Sequence, residues 1–209
     1  MKIKIAILGS TGSIGKSTIK IIKDNPKNFD VVLLTANNNY KELAKQASEL
    51  KAKNLIINNP KILEKLKNKI KNKNIKIHED LKNFSNKNKK KIDYTMCSIS
   101  GLSGLQPTLE AIKFSKKVAI ANKESIICGW SLINKNLKKY KTDFIPVDSE
   151  HYSIWNLVQD YKNSEIEEVI ITASGGPFLN LPINDFKSIK VKDAINHPNW
   201  RMGKKISVD

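Results

Sequence analysis

The sequence predicts an α/β protein: a doubly wound parallel sheet, followed from about residue 148 by the first part of an α+β segment. Three observations lead there. Short β-rich runs alternate with stretches in which Leu and Ile recur every three or four residues, and such alternation builds βαβ units. A glycine-rich turn, Gly9-Ser10-Thr11-Gly12-Ser13-Ile14-Gly15, joins the first strand to the first helix. After Asp148 the alternation stops and loop-rich sequence takes over.

Taken in order, strands are expected at 4–8, 31–35, 54–57, 75–77, 94–98, 118–120 and 143–147, short runs rich in β-branched, aromatic or other apolar residues. Helices are expected between them at about 15–24, 40–51, 60–71, 105–115 and 123–140. Residues 78–91 read as a polar loop or short helix. Beyond the sheet, the sequence predicts a helix at about 151–160 and a strand at 168–172. The domains implied are 1–147 and 148–209, and no internal repeat is present.

At 209 residues, with 40% hydrophobic and 27% charged side chains, the chain can form one full globular domain and part of a second. No apolar run reaches the ~18–20 residues that span a membrane. The first strand begins almost at Met1, which leaves no room for a leader, so a cytoplasmic protein is expected. Cys97 and Cys128 lack any ligand spacing and read as two reduced, buried thiols.

The net charge of +17 raises the question of nucleic acid. More than half of it lies in residues 61–91, where twelve Lys face only Glu64, Glu79 and Asp80. That stretch has no Arg and one aromatic, Phe84, whereas nucleic-acid surfaces combine Arg forks and stacking rings with Lys. It reads as a solvated basic face, with no specific nucleic-acid partner; nonspecific attraction of polyanions is the alternative.

The turn at 9–15 has the spacing GxxGxxG between strand and helix. Its glycines permit a tight turn and close approach of backbone to a pyrophosphate seated on the helix N-terminus. Thr11 and Ser13 add hydroxyl donors. Gly15-Lys16-Ser17 is one residue too far from Gly9 for a Walker loop. A Rossmann-type dinucleotide domain is therefore expected. Strand two ends in Ala36-Asn37-Asn38-Asn39, without the Asp or Glu that holds the ribose diol of NAD, which favours NADPH. Lys41 is the nearest cation in sequence.

Strand seven runs into Asp148-Ser149-Glu150-His151. In an extended segment residues two apart face the same way, so Asp148 and Glu150 are expected to converge with Ser149 opposite. Two carboxylates with no thiol nearby suit Mg²⁺ or Mn²⁺. His151 reads as a cap or packing residue.

Segments 9–15, Ala121-Asn122-Lys123-Glu124-Ser125, 146–151, 174–178 and 197–209, in this order, resemble the 1-deoxy-D-xylulose 5-phosphate reductoisomerase family. The resemblance implies a sugar phosphate substrate, rearranged on a divalent metal by retro-aldol cleavage and re-addition. NADPH then reduces it to 2-C-methyl-D-erythritol 4-phosphate. It implies that Ser10, Thr11, Gly12, Ser13 and Ile14, with Asn38, Asn122, Lys123, Glu124 and Gly203, bind the cofactor. Asp148 and Glu150 become metal ligands and, with His197, the catalytic group. Ser149, Glu150, Ser174, His197 and Trp200 become substrate contacts, Gly175-Gly176 freeing amides for an anion. Trp200 and Met202 belong to a flap that excludes water, and Ile206 approaches the nicotinamide.

The family continues past Ser207-Val208-Asp209 into a serine, an Asn-Lys pair and a third metal carboxylate, and forms a homodimer. By this resemblance residues 148–209 are a partial catalytic domain, and the 209 residues alone are expected to be inactive. The family also has Gly and a basic residue where Ala36-Asn37 stand here. Two further readings stay open: a remnant that binds NADPH without turnover, and a basic polyanion-binding protein on the same scaffold.

Overall fold

A computed structural model describes residues 1–88, 90–162, 165–172 and 175–198. The chain divides into two compact units, Met1–Asp160 and Tyr161–Asp209.

In the first unit, strands β1 (Ile3–Leu8), β2 (Phe29–Ala36), β3 (Asn54–Ile57), β4 (Lys76–His78), β5 (Ile92–Cys97), β6 (Ser115–Ile120) and β7 (Asp143–Pro146) form one sheet. Its order is β4-β3-β2-β1-β5-β6-β7, and every neighbouring pair is parallel. The chain walks outward from β1 to β4, then crosses back and walks out from β5 to β7. The order thus reverses between β1 and β5, and the carboxyl ends of those strands flank the crevice where such sheets take ligands. The doubly wound α/β fold is as the sequence predicts.

Alternation along the strands explains the two packed faces. Ile5 and Ile7 of β1 join Leu34, Leu43, Ala47, Ile19 and Leu66 in one core. That core is covered by α1 (Ser13–Asp24), α2 (Tyr40–Glu49) and α3 (Pro60–Lys69). Ala6 and Leu8 point the other way, into a core with Phe84, Ile112, Phe114, Ile133 and Leu137. This second face is covered by α4 (Leu81–Lys87), α5 (Leu105–Phe114) and α6 (Lys123–Tyr140). Val32 is an extra residue in β2: Ile5 opposes Val31 while Ala6 opposes Leu33. α6 kinks at Gly129, where a β-carbon would strike the Leu105 side chain.

The basic stretch is only partly a solvated face. Residues 81–87 form α4, anchored by buried Phe84, whose ring meets His78 and Phe114 edge-on at 5.3 Å. Lys91 donates to the Tyr140 carbonyl and to Thr142 Oγ1, tying β5 to the end of α6, and loss of solvent lowers its pKa. Of the two cysteines expected to be buried, only Cys97 is, its thiol pushed up to about 12 by burial. Cys128 is exposed, because α6 turns Ser125, Gly129, Ile133 and Leu137 inward and position 128 lies off that stripe.

α7 (Ser149–Val158) follows β7. In the second unit a 3-10 segment, Ile183–Ser188, and the short α8 (Val191–Ala194) are joined by loops, with Phe178 packed on Phe186 at 6.3 Å. The strand expected at 168–172 is not formed. Val169, Ile170 and Ile171 are exposed there, and among the described residues no strand pairs with them. A β run without a neighbour leaves its ladder groups unbonded and is not a strand. No helix among the described residues is long and apolar enough to cross a membrane.

His78 gives the sheet edge a pH dependence. Asn54 Nδ2 donates to the Val32 carbonyl at 2.9 Å, so its Oδ1 is the acceptor for His78 Nε2 at 2.7 Å, and the imidazole is the neutral Nε2–H tautomer. Burial, then the charges of Lys87 and Lys76, lower its pKa. The unfolded chain, with an ordinary histidine pKa of about 6.5, takes up the proton first. Stability is therefore full above pH ~6.5 and falls as pH drops below it. The melting temperature should decline between pH 7.5 and 5.5 by more in the native chain than in H78Q; equal declines would remove His78 as the cause.

Candidate active site: the nucleotide crevice and the carboxylate pair

The glycine turn sits at the reversal point, tied down on its inner side. Gly9 takes φ +80°, the left-handed region, as it leaves β1. A β-carbon on Gly15 would overlap the Gly9 carbonyl oxygen, so α1 can start this close to the strand only with glycine there. Ser10 is fully buried: its N–H donates to the Thr35 carbonyl at 2.9 Å, and its own carbonyl accepts from Gln46 Nε2 at 3.1 Å. Gly12, Ser13 and Ile14, by contrast, are exposed. Gly12 is the N-cap of α1 and no side chain caps it, so the helix start offers its amides outward. Of the predicted cofactor residues in this loop, Ser10 faces the protein and the other four carry the open surface, Thr11 partly buried.

The opposite wall follows β5. Ser98 Oγ donates to the Leu8 carbonyl at 2.7 Å, stitching the two strand ends together. Asn122 is buried, with its side chain committed to the protein. Its amide nitrogen donates to the Ile99 and Gly101 carbonyls, the latter at 2.6 Å. Its Oδ1 caps α6 through the Ser125 N–H at 2.9 Å. The side chain expected to touch the cofactor also holds the turn 99–101. Lys123 is exposed beside it and Glu124 half-buried.

The carboxylates are arranged differently from the expectation. The segment after β7 is not extended: α7 begins at Ser149, so strand alternation does not align Asp148 with Glu150. Asp148 is the N-cap, a preferred role for Asp, and its Oδ1 accepts from the His151 N–H and from His151 Nδ1, both at 2.8 Å. Burial alone would raise its pKa, but these bonds and the charges of His151 and Lys123 outweigh it and leave the pKa below the usual carboxylate value. Both bonds use Oδ1, which leaves Oδ2 for a cation. Glu150 and Ser149 are exposed in the first turn.

Val147 N–H donates to the Ile120 carbonyl at 3.1 Å, which sets the starts of α6 and α7 side by side. Lys123, Asp148 and His151 share a cavity of ≈470 Å³ with Trp130, Phe144 and Trp155, an apolar wall that sequence reading did not find. The signal available in the sequence was the ring content around it, Trp130, Phe144 and Trp155. Among the described residues no three His, Cys, Asp or Glu converge as a metal cluster.

In the second unit His197 is buried, and Gly175 and Gly176 both adopt positive φ, +77° and +69°, backbone that L side chains rarely take. Ser174, Trp200, Met202, Gly203 and Ile206 lie outside the described residues.

Comparison with known proteins decides the family. The family model for 1-deoxy-D-xylulose 5-phosphate reductoisomerase matches residues 5–129, and the model of that enzyme's C-terminal domain matches residues 144–209. The chain belongs to the 1-deoxy-D-xylulose 5-phosphate reductoisomerase family. A relative of that name from Pelagibacter ubique is 57% identical over 214 residues, which cover 99% of this chain and 54% of the relative. One from Wolbachia pipientis is 40% identical, over 99% of this chain and 53% of the relative. Among solved structures, the family enzyme from Zymomonas mobilis in complex with NADPH superposes with TM-score 0.83 at 34% identity, over 95% of this chain and 52% of that one. A family structure with NADPH, fosmidomycin and magnesium gives 0.78 at 32%, over 98% and 53%. The chain thus spans about half the length of the relatives it matches.

The Asn122 clamp can be tested directly. Asn122→Ala strands two carbonyls and uncaps α6, which should cost about 2–4 kcal/mol in urea unfolding. Amide exchange at 99–101 should speed up; unchanged exchange there would show that the turn does not depend on Asn122.

Proposed function

We propose that the chain supplies the NADPH-binding part (1–147) and the first part of the catalytic domain (148–209) of an enzyme that converts 1-deoxy-D-xylulose 5-phosphate to 2-C-methyl-D-erythritol 4-phosphate. The observation that carries the reading is the uncapped start of α1 behind Gly9–Gly15, open at the sheet's reversal point. It fits a dinucleotide pyrophosphate, because Ser13 and Ile14 are exposed at the helix start and no side chain caps their amides, while the Gly12 N–H is held by the Gly9 carbonyl at 3.0 Å. Thr11 and Ser13 add hydroxyls, and Asn38 stands at the ribose end. The absence of a carboxylate at 36–39 supports NADPH over NADH.

Asp148 Oδ2 and Glu150 would hold Mg²⁺ or Mn²⁺, oxygen ligands suited to a hard cation. A bound divalent ion supplies Lewis acidity that polarises the substrate carbonyl and stabilises alkoxide, and NADPH supplies hydride. The chain's residues then position and shield. His151 fixes the Asp148 carboxylate, Lys123 places a positive charge beside it, and the exposed hydroxyl of Ser149 is assigned to substrate. Ser174, His197 and the segment 197–209, with Trp200 and Gly203, are assigned to substrate phosphate, flap and nicotinamide. A cytoplasmic homodimer of the whole protein belongs to the same reading.

By titration calorimetry the chain should bind NADPH tighter than NADH. Gly12 has φ −77°, open to any residue, and a β-carbon there would meet the Gly9 carbonyl at 3.3 Å, a tight contact that a shift of a few tenths of an ångström in the turn would relieve. Gly12→Val should then weaken NADPH about tenfold or more, ~1.4 kcal/mol, with the melting temperature shifted only a few degrees. Full NADPH affinity in G12V would overturn the pyrophosphate assignment.

Asp148→Asn keeps an oxygen to cap α7 but loses the charge. Mn²⁺ affinity, read by electron paramagnetic resonance, should fall about tenfold or more with little change in stability. Unchanged Mn²⁺ binding would remove Asp148 from the ligand set.

A further inference from the structure

We propose that Lys61, at the start of α3, is the specificity-determining cation for the 2′-phosphate of NADPH in this chain. The inference rests on the cofactor reading above and goes beyond it by naming the residue that discriminates the two nucleotides.

A preference for NADPH needs more than the absence of an acid: a 2′-phosphate carries up to two negative charges that must be met near the end of β2. The loop there, Asn37-Asn38-Asn39, is exposed and contains no cation. The cation comes from the neighbouring strand. Ala36 pairs with Ile57, which sets the loops after β2 and β3 side by side. Three bonds then lock them: Asn58 N–H to the Ala36 carbonyl at 2.9 Å, Asn59 N–H to the Asn37 carbonyl at 3.3 Å, and Asn59 Nδ2 to Asn38 Oδ1 at 2.8 Å. Asn59 Oδ1 in turn accepts from the Lys61 N–H at 3.0 Å. Lys61 is therefore two hydrogen-bonded links from Asn38, although more than twenty residues away in sequence.

Its charge is free to act. Lys61 is exposed, and among the described residues it forms no ion pair. No acidic residue lies in the first turn of α3. Lys41, nearer in sequence, lies on α2 itself and has no hydrogen-bonded link to the 57–61 loop among the described residues. Asn59 spends its side chain on joining the loops, an arrangement that places Lys61 rather than a ribose-binding acid at this corner.

The test compares NADPH and NADH dissociation constants for the chain and for K61A, K61R, K41A and K65A, the last one turn further along α3. K61A should weaken NADPH about fivefold or more and leave NADH unchanged, K61R should retain the preference, and K65A should be neutral. K41A should have the smaller effect of the two loop lysines. If K61A lowers both affinities equally, or neither, while the native chain still prefers NADPH, the assignment to Lys61 is wrong and the cofactor reading stands. Equal affinity of the native chain for both nucleotides overturns the inference likewise. Binding of neither overturns the cofactor reading itself.

Discussion

Gly15 packs so tightly against the Gly9 carbonyl that no side chain fits, and the first unit is organised around that approach. It lets α1 follow β1 after only the short turn 9–12, so the helix starts within the crevice. The rest of the turn is fixed by bonds that belong to the core. Thr35 of β2 holds Gly9 and Ser10, Gln46 of α2 holds the Ser10 carbonyl, and Ser98 holds the end of β1. Three segments far apart in sequence thus fix the backbone that an anion would meet. A ligand that finds its amides already aimed does not have to order them, and this is where preorganisation raises affinity.

The helix starts at the carboxyl edge divide the charges. α1 has no capping side chain and no acid in its first turn, so its positive end is open to an anion. α6 and α7 are capped by Asn122 and Asp148 and carry Glu124 and Glu150 in their first turns. Those acids neutralise the helix ends and turn the α7 end into an oxygen-rich patch suited to a cation. On the proposed reading, one architectural device, a helix starting at a strand end, would serve an anion at α1 and a cation at α7 on the same sheet edge.

Much of this was legible in the sequence, and the exceptions share a cause. Each strand of the sheet carries its own apolar run, and each covering helix its own stripe, so local pattern sufficed for the fold. The run 168–172 has the composition of a strand, but a strand needs a neighbour, and composition does not supply one. Asp148 could be read as a strand end or as a helix cap, and the choice changes where Glu150 points. Asn122 was assigned to the cofactor through the family resemblance; its bonds to the carbonyls of Ile99 and Gly101, which depend on the fold, add a structural role that the sequence did not reveal. Lys61 was invisible, since its place beside Asn38 depends on the pairing of β2 with β3.

On the proposed reading, Asp148 would serve fold and site together. Were it simply buried, its carboxyl would hold its proton more tightly and a metal would have to displace that proton on binding. The bonds from His151 reverse this and keep the group ionised. Those same bonds consume only Oδ1 and orient the carboxylate rigidly at the head of α7. The apolar wall of Trp130, Phe144 and Trp155 then lowers the local dielectric without protonating the acid, so a charge placed at Oδ2 is felt more strongly than at an open surface. His151, read from sequence as a cap or packing residue, is the group that makes the two roles compatible.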